Sequence, residues 1–405
     1  MVRQPAQVAA PRRPTVLHRA LPEPPEKLRQ GPLREQAWRS PLRSERTAAL
    51  LGLGVAITFG ICFVTGVLSH VAQNPPSWLT WPARPVGLYR VTQGLHVVTG
   101  FAAIPLLLAK LWTVYPKLFE WPPLRSLAHA AGRLGLLILV GAGLFQLVTG
   151  VLNVARWYTP MPFFFTVAHY WTAWIIIGAI LIHVGSKLAV IRRGLARGQQ
   201  QPAVDPAHGG LTRRGFLTTV AATSGVLALT TAGQTVPGLS RIAVLAQRDP
   251  GVGSQGLPVN KSAVSAGVED SAMDPTYRLF LEGPRPSELS LAQLRSMSGT
   301  TVSLPITCVE GWSASATWTG IRVSDLLDLM GLPADASVMV ESLQEGGLYR
   351  TSVLAPPHSR DPLTLLALQV NGEDLNLDHG YPLRLIAPNR PGVLQTKWVS
   401  RVRAL

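Results

Sequence analysis

Two sets of side chains in this 405-residue sequence have the types and spacing to do chemistry. The first is Cys308, within Leu304-Pro-Ile-Thr-Cys-Val-Glu-Gly-Trp312-Ser-Ala-Ser-Ala-Thr-Trp318-Thr-Gly320, together with His379, Arg384 and Lys397, which follow one another at intervals of five and thirteen residues. A thiolate is a soft metal ligand, and an Arg fork with a nearby Lys supplies fixed cationic donors for an anion such as a phosphate. The second set is His70, His96, His169 and His183, all beside or inside apolar stretches. Polar and ionisable side chains within membrane spans are costly and by default functional, and imidazoles on neighbouring helices suit haem iron. Each set has a plainer reading. A lone strand cysteine is commonly a buried small hydrophobe, the three basic residues singly could be surface groups, and imidazole tips can sit in interfacial water.

Positioning these groups requires two kinds of architecture. Apolar spans at about 47–68, 91–112, 134–152 and 168–190 are each long enough to cross a bilayer and are joined by short connections. His70 closes the first helix, His96 opens the second, and His169 and His183 share the fourth. Their 14-residue interval is about 21 Å of rise and nearly four turns, so both imidazoles share one face at different depths. His96 and His169 lie at matching depth, His183 deeper, and His129 in a loop-like Leu-Ala-His-Ala context before the third span. Beyond Tyr277 the pattern changes to short alternating strands (277–281, 301–306, 338–342, 383–386) with brief helices at 289–296 and 323–330. That is a β-rich α+β domain, with Cys308 expected on a strand that runs into a Gly/Ser-rich turn.

Composition agrees with a membrane protein. The chain is 47% hydrophobic and 15% charged, yet its net charge is +15. The basic residues lie in tails and loops beside the apolar spans, which disfavours nucleic acid as the partner. With Cys62 inside an apolar span and Cys308 in the motif, no disulfide framework is expected. The basic flanks are the N-terminal tail, the loop with Lys117, Arg125 and Arg133, and residues 187–197, whereas the other loops carry only Arg84, Arg90 and Arg156. Both ends of the bundle are therefore expected in the cytoplasm. The expected organisation is a disordered tail at 1–46, the four-helix region at 47–195, linkers at 196–211 and 234–256 around an apolar segment at 212–233, and the β-rich domain at 257–405.

The Cys-Val-Glu-Gly-Trp run with Trp318-Thr-Gly320 resembles the sulfite-oxidase family of molybdopterin enzymes, and within it the bacterial methionine-sulfoxide-reductase branch. A second match lies at Asp378-His379-Gly380-Tyr381-Pro382-Leu383-Arg384, Pro388 and Lys397-Trp398. The resemblance implies that Cys308 ligates molybdenum and that His379, Arg384 and Lys397 hold the pterin phosphate, with Asn260 in a pterin-contacting segment, Leu257-Pro-Val-Asn260-Lys261. The motif has Glu310-Gly311-Trp312 where sulfite oxidases carry an Arg just after the cysteine, which points away from sulfite as substrate. The four-helix layout is similar to the cytochrome b subunits of formate dehydrogenases and hydrogenases. It implies a haem b between His96 and His169, with a second haem at His183, or a role for His70, as the alternative.

Thr212-Arg213-Arg214-Gly215-Phe216-Leu217 before an Ala/Thr/Leu run looks like an internal twin-arginine export signal, compatible with a fifth membrane helix. The combined expectation is a membrane-anchored molybdenum oxidoreductase of the cytoplasmic membrane. It would transfer an oxygen atom to or from a small molecule on the extracytoplasmic side and exchange electrons through haem with a quinone or another carrier. The competing expectation is a non-enzymatic membrane cytochrome whose C-terminal domain has kept only the fold.

Overall fold

The structure is a computed structural model that describes Glu26 and residues 40–118, 126–196, 211–246 and 248–405. Most of the tail expected at 1–46, Arg125 of the basic loop and most of the linker expected at 196–211 lie outside the described residues. Five long helices come first: α1 (Glu45–Gln73), α2 (Leu88–Leu118), α3 (Leu127–Val154), α4 (Phe165–Leu195) and α5 (Arg213–Ala232). All five contain a stretch long and apolar enough to cross a membrane by length and composition. Their outward faces are apolar as well, with Leu137 69% and Ile182 75% exposed, which suits a lipid environment better than water.

His129 corrects the sequence reading, because it lies in the first turn of α3 rather than in a loop. The cause is Ser126, whose hydroxyl accepts from the His129 backbone N–H at 3.1 Å and caps the helix two turns earlier than apolarity alone suggests.

The chain forms two compact units. One comprises Met1–Ala56, Ile104–Gln146 and Trp171–Ala222, and so holds one part of every long helix. Within it, the Lys110 ammonium donates to the Ala48 carbonyl at 2.5 Å, and Trp112 meets Phe216 at 5.4 Å between ring centroids. The other comprises Ile57–Ala103, Leu147–Tyr170 and Thr223–Leu405. It contains the C-terminal parts of α1, α3 and α5, the N-terminal parts of α2 and α4, and the entire β-rich domain.

That domain has the strands β1 (Arg278–Glu282), β2 (Ser287–Ser290), β3 (Thr300–Thr307), β4 (Ser313–Arg322), β5 (Val338–Ser342), β6 (Thr351–Leu354), β7 (Leu365–Val370), β8 (Glu373–Asp374), β9 (Arg384–Ile386) and β10 (Val399–Ala404). Short helices α6 (Ala263–Ala266), α7 (Glu269–Met273), α8 (Leu291–Met297) and α9 (Val323–Leu329) interrupt them. One sheet runs β2-β1-β10-β5-β6, with β1 and β10 parallel. The second runs β3-β4-β7-β8, with β9 also paired to β7. The first sheet buries Leu279, Leu281, Val338, Val340 and Val402 against Leu326 and Leu327 of α9.

The run expected as a Gly/Ser-rich turn is instead strand β4, paired with β3 from Ser313 through Gly320. Small residues alternate there, so Ala314, Ala316 and Trp318 face the core. Gly320 is required by close approach: a Cβ there would lie 2.1 Å from the Leu366 carbonyl oxygen of β7. The composition resembles a turn, but burial of the small side chains decides the outcome.

Candidate functional site

Cys308 lies immediately beyond β3, on the turn to β4, rather than within a strand as expected. The turn is closed by Cys308 N–H donating to Trp312 O at 2.9 Å and by Gly311 N–H donating to Cys308 O at 3.0 Å. Gly311 has φ +98°, and a Cβ there would lie 2.6 Å from Val97 Cγ2 of α2, so both conformation and space demand glycine.

Segments remote in sequence fasten this turn. Gln93 of α2 donates to Val309 O at 2.5 Å, Thr235 Oγ1 donates to Gly311 O at 2.6 Å, and Ser313 N–H donates to Gln234 O at 2.7 Å. Ser254 and Gln255 also bond into the domain, to His379 and to Asp374 and Glu373 respectively. Gln234, Thr235, Ser254 and Gln255, at the two ends of the stretch expected as a linker, are therefore part of the site's support.

The thiol itself is buried, 6% exposed, in a cluster with Leu257, Trp312 and Trp318. Asn260 Nδ2 donates to Cys308 Sγ at 2.9 Å and to Glu310 Oε2 at 3.1 Å. Burial, reinforced by the neighbouring Glu310 carboxylate, pushes the Cys308 thiol up to about 12. A thiolate at this position therefore needs a cation, and a metal would displace the proton. Among the described residues no cluster of three or more His, Cys, Asp or Glu could hold a metal. A metal at Cys308 would need its other ligands from a cofactor.

His379, Arg384 and Lys397 come together in the same domain. His379 ends a 3₁₀ turn (Leu377–His379) and is buried, with Nε2 2.6 Å from the Ser254 carbonyl and 3.0 Å from its hydroxyl. Arg384 opens β9 and donates through one Nη to His379 O at 3.0 Å, while its buried Nε has no hydrogen-bond partner. Lys397 donates to Asp378 O at 2.5 Å and to Lys261 O at 2.9 Å.

Burial depresses all three groups: Arg384 to about 9, Lys397 to about 7 and His379 to about 4. Arg384 and Lys261 add to the effect at Lys397 by like-charge repulsion. A desolvated guanidinium with an unsatisfied N–H, beside a lysine and a histidine that an anion would favour in their protonated forms, fits an anionic group such as a pterin phosphate.

Sequence reasoning used Arg156 only to orient the helices, yet the residue reaches this site. Its Nε lies 3.4 Å from Glu310 Oε1, and an Nη donates to Asn260 O at 2.6 Å. Tyr158 is raised to about 12 by burial and then by Glu310 and Cys308, and Tyr349 is also raised by burial and Cys308. No spacing rule links residues 156 or 349 to 308; only the fold does.

The histidines divide. His96 and His169 pair, with ring centroids 6.2 Å apart and planes at 76°. His96 Nδ1 sits 2.9 Å from the Cys62 carbonyl, and His169 Nδ1 sits 3.1 Å from Thr149 Oγ1. Holding an imidazole through Nδ1 is how ligating histidines are oriented. Gly66 and Gly150 lie against the two rings, with added Cβ atoms 3.0 Å and 3.8 Å from them. His70 instead stacks on Tyr170 at 3.7 Å, and His183 belongs to the other compact unit.

Residues 266–405 match the family described as "Oxidoreductase molybdopterin binding domain". The chain is 28% identical over 165 residues to the sulfite oxidase of Arabidopsis thaliana, covering 32% of this chain and 42% of that protein. It is 30% identical over 158 residues to the mitochondrial sulfite oxidase of Homo sapiens, covering 36% and 27%. It is 29% identical over 135 residues to the protein-methionine-sulfoxide reductase catalytic subunit MsrP of Xanthomonas campestris pv. campestris, covering 30% and 42%. The chain thus spans less than half the length of each of these relatives. The C-terminal third of the chain carries a molybdopterin oxidoreductase domain related to those of sulfite oxidases and MsrP.

Proposed function

We propose that this protein is a membrane-anchored molybdenum oxidoreductase that transfers an oxygen atom to or from a small molecule on the extracytoplasmic side and exchanges electrons through a haem b with a quinone or another carrier. The observation that carries the reading is that one domain holds a buried Cys308 thiol and a buried basic set, Arg384 and Lys397 beside His379, in which the Arg384 Nε has no hydrogen-bond partner. A dithiolene cofactor would satisfy both, offering a metal to the thiolate and a phosphate to the cations.

In this reading Cys308 Sγ, as thiolate, would hold the molybdenum. Asn260 Nδ2 would remain against the sulfur, and His379, Arg384 and Lys397 would hold the phosphate. Leu257, Trp312 and Tyr381, packed around the turn, keep water from the sulfur. The cofactor, when bound, supplies two-electron oxygen-atom transfer. Tyr349, which burial and the Cys308 charge keep protonated, could donate to a substrate oxygen, whereas the Tyr158 hydroxyl already donates to Asn153 Oδ1 at 3.1 Å. A sulfoxide or related oxo compound is the substrate class favoured, by analogy with the printed activity of MsrP and by Glu310 in place of an arginine.

His96 and His169 would hold the haem iron in the helical region, with Thr149 and the Cys62 carbonyl fixing the rings. Arg213 and Arg214, at the start of α5, would serve as the export signal, so that the loaded domain crosses the cytoplasmic membrane folded. Elemental and pterin analysis with a reduced-minus-oxidised haem spectrum on one purified sample tests the reading. Stoichiometric molybdenum and a b-type spectrum are expected. Haem without molybdenum or pterin would favour the non-enzymatic membrane cytochrome instead.

A further inference from the structure

The loop between α3 and α4 sends a cation into the candidate site of a domain that begins about a hundred residues later. Arg156 follows the end of α3 in a left-handed conformation, φ +54°, with its N–H donating to Asn153 O at 3.0 Å. That conformation is a helix C-cap, closed further by Trp157 N–H donating to Leu152 O at 2.9 Å. At the tip of the side chain, Nε meets Glu310 Oε1 at 3.4 Å and an Nη donates to Asn260 O at 2.6 Å.

Glu310 is buried, and its two oxygens are divided: Oε1 faces Arg156 and Oε2 accepts from Asn260 Nδ2. The same Asn260 nitrogen lies 2.9 Å from Cys308 Sγ. One planar guanidinium therefore meets both residues that contact or flank the sulfur, pairing with the Glu310 carboxylate through Nε and donating from an Nη to the main-chain carbonyl of Asn260. A lysine, as a point donor, could not address both at fixed angles.

We propose that Arg156 is a positioning residue of the Cys308 site, holding the Glu310 carboxylate and the main-chain carbonyl of Asn260, and through them the Asn260 side chain, in register with the sulfur from a loop between two apolar helices. The inference rests on Cys308 being the molybdenum-binding thiolate. Its consequence is that the catalytic centre of the C-terminal domain is completed by the helical part of the chain. A plain ion pair tethering the loop is the rival account, and it would leave the centre itself unchanged.

The test uses the full chain, purified with its cofactor, as wild type, Arg156→Ala, Arg156→Lys and, as a control for a peripheral tether, Arg84→Ala, which breaks the ion pair to Asp361. Molybdenum and pterin content, the sulfur-to-molybdenum charge-transfer absorption, and kcat and KM with an artificial one-electron carrier are read together. Arg156→Ala should keep its molybdenum, shift the charge-transfer band and lose about ten- to a hundredfold in kcat, with KM little changed. Arg156→Lys should fall between, and Arg84→Ala should match wild type in kcat and spectrum. An Arg156→Ala variant with wild-type spectrum and kcat overturns the inference. So does one whose kcat falls only in proportion to lost molybdenum, because that marks structural support alone. Wild type without molybdenum sinks the functional reading and this inference with it; loaded wild type beside an unaffected Arg156→Ala sinks this inference alone.

Discussion

The Cys308 turn and the His96–His169 pair belong to one compact unit and are built in opposite ways. Five segments far apart in sequence hold the turn: Gln93, Arg156, Gln234 with Thr235, Asn260, and the strands β3 and β4 themselves. The histidine pair is held by neighbours on adjoining helices, Cys62 and Thr65 of α1 for His96 and Thr149 of α3 for His169. A site assembled from distant segments can be damaged from many positions, whereas one set by helix periodicity depends on few. The two sites should therefore fail separately.

Cys308→Ser should give the largest effect. A hydroxyl does not replace a soft thiolate, so turnover should be lost while the haem spectrum and the thermal unfolding profile stay as in wild type. A variant that still turns over would remove the metal assignment. The converse substitutions, His96→Ala and His169→Ala, should each remove the b-type haem absorbance and the coupling to quinone, with molybdenum turnover by artificial carriers preserved. His183→Ala should leave the absorbance intact; loss of about half of it would mean a second haem.

Lys397 gives the next effect, and its sign can be worked out. In the folded chain burial holds Lys397 at about 7, below the ordinary lysine value of 10.5. In cofactor-free protein the buried ammonium is destabilising below about pH 7. Stability should rise with pH between about 7 and 10, where the unfolded chain binds more protons. An anion reverses the preference, because it favours the protonated form. Inorganic phosphate binding to the cofactor-free chain should weaken by up to about tenfold per pH unit above 7, and Lys397→Met should flatten that dependence. Calorimetric titration at several pH values reads both slopes; equal slopes in the two proteins would take Lys397 out of the cradle.

The smallest effects are in the supports. Gln93→Ala leaves the Val309 carbonyl without its side-chain donor and should cost about 1–3 kcal/mol. Arg84→Ala should cost less than about 1 kcal/mol, because Arg84 is half exposed and its pair with Asp361 is screened. Chemical denaturation in detergent, followed by tryptophan fluorescence, separates the two. If the order is reversed, the contact at the turn is not the stronger support.

The long helices were legible because apolar runs of that length have few alternatives, and α5 agrees with its expected limits to within a residue. The cysteine and the trio His379, Arg384 and Lys397 could be singled out by spacing and family resemblance, and the fold places them in one domain, even though β2, β4, β6, β7, β8 and β10 were not foreseen. β4 was missed because Ser and Ala alternation reads as turn composition until its partners β3 and β7 bury it. His129 was misplaced for want of a cap that depends on one hydroxyl. Arg156 was invisible for a different reason: its role exists only through contacts across more than a hundred residues, and its own neighbours in sequence carry no trace of them.

The central claim is that Cys308 chemistry feeds electrons to or from the His96–His169 site within one chain. The most direct measurement is haem absorbance in the full-length protein, followed after mixing with an oxo substrate that turns over with artificial carriers. Wild type should show a haem redox change at the rate of turnover, and Cys308→Ser none. A haem that stays silent in turning-over wild type, or responds equally in Cys308→Ser, would contradict the account.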